Sequence, residues 1–165
     1  MSTPLTPESY IASSSGNEDA HQTALFMWIA LNAQQYPKLT LAFAIPNGGQ
    51  RHKATAAKLK ATGVKKGVPD LLLPVARHGL HGLFIELKRP ASQGKRKGAT
   101  ADEQDAWIAK LRGERYGACT CYGWEQARDV LLQWIYTCEE NNQQAAENVV
   151  EFACRHESVR IEKRY

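Results

Sequence analysis

No apolar run in this 165-residue sequence approaches the roughly 18 residues needed to cross a bilayer as a helix, so no membrane span is expected. Cysteine is sparse. Cys119, Cys121, Cys138 and Cys154 include no CxxC pair, and no matching His pair accompanies them. That spacing argues against a zinc finger, and a zinc-stabilised regulatory domain stays only as the weakest alternative. The opening "MSTPLTPESYIASSSGNEDA" lacks the basic start and apolar stretch of a secretory signal. Residues 1–16 therefore read as a flexible lead and the chain as cytoplasmic, where thiols stay reduced. Internal repeats are also lacking. Residues 17–138 read as one domain, and 139–165 as an acidic, Asn/Gln-rich tail or an extra helix packed on it.

Acidic residues are scarce in the middle of the chain. From Arg51 to Lys97 there are twelve Lys/Arg against two acids, a net +10 that leaves −6 for the rest of a chain whose total is +4. A basic centre on an otherwise acidic protein suggests a polyanion-binding surface. Its members include Arg51, Lys53, Lys65, Lys66, Arg89, Lys95, Arg96 and Lys97, which make up the expected polyanion-binding set. The two acids within it are Asp70 and Glu86.

Asn17 is placed as an N-cap with Glu18 and Asp19 in the first turn, and Leu25, Trp28, Ile29 and Asn32 continue at helical spacing. A helix over 18–35 follows. "LTLAFAI" (39–45) reads as a strand, "PNGG" (46–49) as a turn, and "RHKATAAKLKAT" (51–62) as a helix stopped by Gly63. Strands are expected at 69–75, 82–88 and 116–122. Thr100 and Glu103 form a capping box for a helix carrying Gln104, Trp107, Ile108 and Leu111, and 124–138 is strongly amphipathic. Trp107, Trp124 and Trp134 read as core or subunit-contact residues, and His52, His78 and His81 as surface residues near turns. This order of elements gives a layered α/β domain with a mixed sheet.

Alternation along "GLFIELK" (82–88) sends Leu83, Ile85 and Leu87 one way and Phe84, Glu86 and Lys88 the other. Glu86 is thus expected on an exposed face. Asp70 opens the preceding strand, and because paired strands lie about 4.8 Å apart, the two carboxylates can converge. Two carboxylates, a backbone carbonyl and waters make an all-oxygen site suited to Mg²⁺ or Mn²⁺. Lys88 on the same face can orient a water or neutralise phosphate charge. Taken singly, Glu-x-Lys is a common surface pair contributing about 0.2–1 kcal/mol, and Pro-Asp a common turn opener. Within a basic surround they fit metal-dependent phosphodiester hydrolysis. "NGG" with Arg51 either holds a phosphate or is a plain turn.

"PD" (69–70) followed by "ELK" (86–88) resembles the PD-(D/E)xK nuclease superfamily. With "IPNGGQR" (45–51), "LKATGVKKGVPDLLL" (59–73), "FIELKRP" (84–90), "TADEQDAWIAKL" (100–111) and "GACTCYGWEQA" (117–127), the chain more narrowly resembles a VRR-NUC domain of the stand-alone phage or bacterial type. The resemblance implies a restriction-endonuclease-like α/β core, a mixed central sheet flanked by helices. It implies Asp70, Glu86 and the Leu87 carbonyl as metal ligands, Lys88 as the catalytic lysine and Gln104 beside the site. Glu18 would complete the acidic set from the first helix, with Gln22, one turn on, as the alternative position. The implied activity is that of a Mg²⁺- or Mn²⁺-dependent endonuclease acting on branched DNA, resolving Holliday junctions as a homodimer. The apolar face of 124–138 is the expected source of that dimer. A flap- or nick-directed nuclease would carry the same residues, and a non-catalytic DNA-binding protein would use the basic segment alone.

Overall fold

The structure is a computed structural model, and it describes residues 5–46, 58–90 and 99–136, with backbone only for 99–101. Helices α1 (Pro7–Ser13) and α2 (Glu18–Leu31) lead into a 3₁₀ turn (Pro37–Leu41) and strand β1 (Phe43–Ala44). Strands β2 (Leu71–Leu73) and β3 (Leu83–Lys88) follow, then α3 (Ala99–Gly113), β4 (Gly117–Tyr122) and α4 (Trp124–Tyr136). The strands lie side by side in the order β1-β2-β3-β4. β1–β2 and β2–β3 are antiparallel, and β3–β4 is parallel. The parallel pair needs a crossover, which α3 supplies.

The odd positions of the central strands face the core. Leu71, Leu73, Leu83, Ile85, Leu87, Cys119 and Cys121 are buried against Ala24, Leu25 and Ile29 of α2 and Trp124, Ala127, Val130, Leu131 and Trp134 of α4. Cys119 and Cys121 act here as small apolar side chains. Trp134 closes one end: its indole N–H donates to the Val75 carbonyl at 2.8 Å, and its ring lies where a Cβ on Gly117 would be only 2.8 Å away. That close approach requires glycine at the start of β4.

Several elements depart from expectation. The presumed flexible lead contains α1, whose Thr6 and Ser9 cap each other reciprocally and whose Tyr10 and Ile11 pack against the core. The strand expected at 39–45 is mostly a 3₁₀ turn. Pro37 starts that turn and Leu39 anchors it in the core, so burial of one leucine overrides β propensity. The first helix stops at Leu31, where Asn32 donates its side-chain amide to the Trp28 carbonyl. Helix α3 begins at Ala99, one residue ahead of Thr100. His78 is buried, its ring edge-on to Trp134 at 5.6 Å, whereas His81 is exposed against Tyr116. On the apolar face of α4, Trp124, Ala127, Val130, Leu131 and Trp134 are consumed by the protein's own core, and Tyr136 at its end is exposed. Residues 58–61 are helical and end at Gly63 (φ +93°). The expected "PNGG" turn beyond Pro46, the helix over 51–57, His52, Cys138, Cys154 and the tail from 139 lie outside the described residues.

Gly117→Ala is expected to overpack the Trp134 contact and lower stability by about 1–3 kcal/mol. A shifted urea midpoint with unchanged slope is the predicted result, and an unchanged midpoint would contradict the packing described.

Candidate active site

The antiparallel register of β2 and β3 puts the start of one beside the end of the other. The last β2–β3 pair is Leu71↔Ile85, so the chain beyond it on β3, Glu86 to Lys88, lies opposite the residues that precede β2. Leu87 therefore presents its N–H past the last paired residue of β2. Asp70 takes that amide with its own carboxylate, Oδ2 accepting at 2.8 Å, while the Asp70 carbonyl accepts from the Ile45 N–H at 2.7 Å. A side chain replaces a backbone partner in the ladder, and the carboxylate is fixed at the sheet end.

Glu86 points to the face covered by α3 and is 1% exposed. The sequence placed it on an exposed face; the correction is that α3 and Asp70 together roof over that part of the face. Its Oε1 accepts from the Lys88 ammonium at 2.7 Å and from the Gln104 amide. Its Oε2 is buried with no hydrogen-bond partner among the described residues. An unsatisfied buried acceptor costs about 1–3 kcal/mol, more if charged, which makes this oxygen the conspicuous strain of the structure. Burial, then the neighbouring charge of Asp70, push the Glu86 carboxyl up to about 7, against the pull of Lys88.

Lys88 is 22% exposed and lies 3.8 Å from Glu18 Oε1 as well as against Glu86. Burial opposes its charge, but the hydrogen bond to Glu86 and the charges of Glu86, Glu18 and Asp70 outweigh this and raise its pKa. Lys88 is thus an ammonium across the neutral range. Glu18 is the first residue of α2, capped by Asn17, whose side chain accepts from the Ala20 N–H at 2.9 Å. Between Glu18 and Gln22, it is Glu18 that the structure brings to Lys88.

Two further contacts hold this end of the sheet together. His21 of α2 is buried and its Nδ1 accepts from the Trp124 N–H at 3.4 Å, tying α2 to the start of α4. Gly123, between β4 and α4, donates its N–H to the Lys88 carbonyl at 2.7 Å and has φ +90°. Sequence reasoning missed both, since a histidine within a helical pattern and a glycine after a strand carry no signal of what they touch. Lys65, Lys66 and Arg89 are exposed, and the Lys65 ammonium stands 6.0 Å from the centre of the Trp107 ring. Arg51, Lys53, Lys95, Arg96 and Lys97 lie outside the described residues.

Among the described residues no three His, Cys, Asp or Glu side chains converge closely enough to hold a metal ion by themselves. The fit is that of a hard cation that keeps several waters and takes only one or two carboxylates. Asp70 and the orphaned Oε2 of Glu86 answer to it. A divalent ion there would offset both the burial of the Glu86 charge and its repulsion by Asp70, the two causes that raise Glu86.

The pH dependence follows from the burial of Glu86, with the charge of Asp70 adding to it. Below the ordinary value of 4.5 the carboxyl is protonated whether folded or unfolded. As pH climbs through about 7 the folded protein must ionise a buried group, so stability present at low pH is lost across this window. Melting in EDTA is expected to fall between about pH 5 and about pH 8, and Glu86→Gln should remove most of the fall and melt higher than wild type at the alkaline end. Parallel profiles for the two proteins would contradict the burial of an ionisable Glu86.

The VRR-NUC domain family matches residues 17–125 of the chain. A solved structure described as a VRR_NUC domain protein is similar with a TM-score of 0.57 and 30% identity, over 72% of this chain and 88% of that one. Comparison with curated proteins gives no match.

Proposed function

The chain belongs to the VRR-NUC domain family, a family of nucleases with a restriction-endonuclease-like α/β fold, and from that premise we propose that it is a divalent-metal-dependent endonuclease that hydrolyses phosphodiester bonds in branched DNA. The observation that carries the proposal is the convergence of Asp70, Glu86 and Lys88 at one sheet end, with a buried carboxylate oxygen left unpartnered.

Asp70 and Glu86 would hold the Mg²⁺ or Mn²⁺ together with the Leu87 carbonyl. In a strand the N–H and C=O of a residue point the same way, so that carbonyl is directed, like the amide, to the Asp70 side. Glu18, expected as a further metal ligand, is drawn to Lys88 at the rim and does not converge with Asp70 and Glu86 closely enough to complete the set; it would act through Lys88. When bound, the ion polarises a phosphoryl oxygen and lowers the pKa of a coordinated water. The residues of the chain do the rest. Lys88 serves as a cation that orients the attacking water and offsets charge on the phosphate. Gln104 fixes the rotamer of Glu86 so that Oε2 faces away from Lys88. Arg51, Lys53, Lys65, Lys66, Arg89, Lys95, Arg96 and Lys97 would neutralise backbone phosphates and make binding salt-dependent.

Holliday-junction resolution by a homodimer is the finer part of the proposal. Its support is a matter of symmetry: a junction needs two related cuts, and a two-fold dimer supplies two sites. With the α4 face buried, the large apolar side chains open to a partner among the described residues include Leu31, Leu41, Phe43 and Tyr136. Phe43 lies on β1, at one end of the described sheet. No helix among the described residues is long and apolar enough to cross a membrane.

The test is cleavage of labelled four-way-junction, flap and linear duplex DNA with Mn²⁺, Mg²⁺ or EDTA. Paired symmetric cuts in the junction are expected, metal-dependent and abolished in Glu86→Ala. Lys88→Ala should lower kcat by about 10²–10³-fold. Cutting of flaps with junctions spared would replace resolution by flap processing. Binding without cleavage of any substrate would leave a non-catalytic DNA-binding protein.

A further inference from the structure

We propose that Trp107 is a positioning residue for this centre, seating the strap of residues 63–69 on α3 so that Asp70 meets the Leu87 amide. Three contacts place the strap. The Trp107 indole N–H donates to the Lys66 carbonyl at 2.9 Å. Gly67 (φ +77°) runs so close to α3 that a Cβ there would lie 3.0 Å from the Glu103 carbonyl and from Trp107 Cδ1. The Lys65 ammonium stands 6.0 Å from the centre of the same ring.

The strap is short. From Lys66 to Asp70 the chain spans at most about 14 Å, and Pro69 within it is buried with its φ fixed. Gly67 is the permissive joint between them, and its close approach to α3 together with the Trp107 contact at Lys66 sets the course of the chain into Asp70. What Asp70 holds, the Leu87 N–H, lies beyond the last β2–β3 pair, so it depends on where the strap delivers that carboxylate.

Trp107 lies one turn after Gln104 on the same helix, and Gln104 holds Glu86. One helix thus fixes both carboxylates, Glu86 directly through Gln104 and Asp70 indirectly through the strap. Trp107 is only half-buried and is not part of the hydrophobic core, unlike Trp124 and Trp134, which are. Its conspicuous polar contact is with the strap. The strap also carries Lys65 and Lys66, so the same seat sets where two phosphate-binding cations stand relative to the carboxylates.

The role assigned to Trp107 in metal binding rests on the nuclease proposal; its hold on the strap does not. The test uses Trp107→Phe, which keeps a ring and deletes the N–H, and Gly67→Ala, which pushes the strap off the helix. Amide exchange at Leu87 and Ile85 is followed by NMR, alongside Mn²⁺ binding by electron paramagnetic resonance and thermal melting. In both variants exchange at Leu87 is expected to quicken by about fivefold or more while Ile85 is unchanged, because only the former depends on the strap. Mn²⁺ affinity should fall about 10-fold, as for other residues that orient a metal ligand, with melting little changed in Trp107→Phe and lowered in Gly67→Ala, whose added Cβ is strained at φ +77°. Unchanged exchange at Leu87 would overturn the proposal. Equal quickening at both amides would overturn it too, since that is general loosening of the fold. Selective quickening in a protein that binds no Mn²⁺ would uphold the seat and refute the metal site.

Discussion

Everything at this end of the molecule turns on one unfavourable fact, a glutamate carboxylate held out of water beside a second carboxylate. Glu86 is almost fully buried, its Oε1 neutralised by Lys88 and steadied by Gln104, its Oε2 left without a partner among the described residues. Cores do not keep such groups for stability; a breached or partly satisfied buried charge costs more than it returns. Stability given up at a functional centre is a familiar trade. The sheet, α2, α3 and the strap can all be understood as the frame that enforces this arrangement.

The frame works through register. Because the β2–β3 pairing ends one residue short of Glu86, the ladder stops where the carboxylates gather, and Asp70 substitutes a carboxylate for the missing backbone acceptor. The parallel β3–β4 pair then sends both strands to the same end, where the Gly123 turn accepts no Cβ without meeting Pro90 and Glu125. His21 ties the start of α4 to α2, so Glu18 is carried to Lys88 by a helix whose position is already set by the core. Each functional side chain is delivered by backbone geometry, with little left to rotamer choice.

Much of this was legible in the sequence. The alternation of "LFIELK" marks β3 and assigns Glu86 and Lys88 to one face, while "PD" and "ELK" resemble the nuclease superfamily and the order of the further segments from 45 to 127 carries the resemblance to the family. The α2 start at Glu18 follows from Asn17 and the first-turn acids. Other features were illegible because they depend on contacts distant in sequence. Alternation tells which face a residue takes, not what covers that face, so Glu86 was read as exposed. The apolar stripe of 124–138 was visible, but not that Trp124, Ala127, Val130, Leu131 and Trp134 would be spent on the sheet. Trp107 looked like a core residue by its spacing, yet its indole reaches a carbonyl forty-one positions away. The helix at Pro7–Ser13 carried its Thr-Pro-x-Ser signal openly, in a stretch whose polarity argued the other way.

Glu86 is a buried carboxylate with one oxygen unpartnered among the described residues, and the proposed divalent cation would answer its charge. The most direct measurement is a pH titration of the Glu86 side-chain carboxyl by NMR on ¹³C-glutamate-labelled protein, with and without Mg²⁺. A midpoint of about 7 that moves down to well below neutral when Mg²⁺ is added is the predicted result. A midpoint near the ordinary 4.5, indifferent to Mg²⁺, would contradict the account.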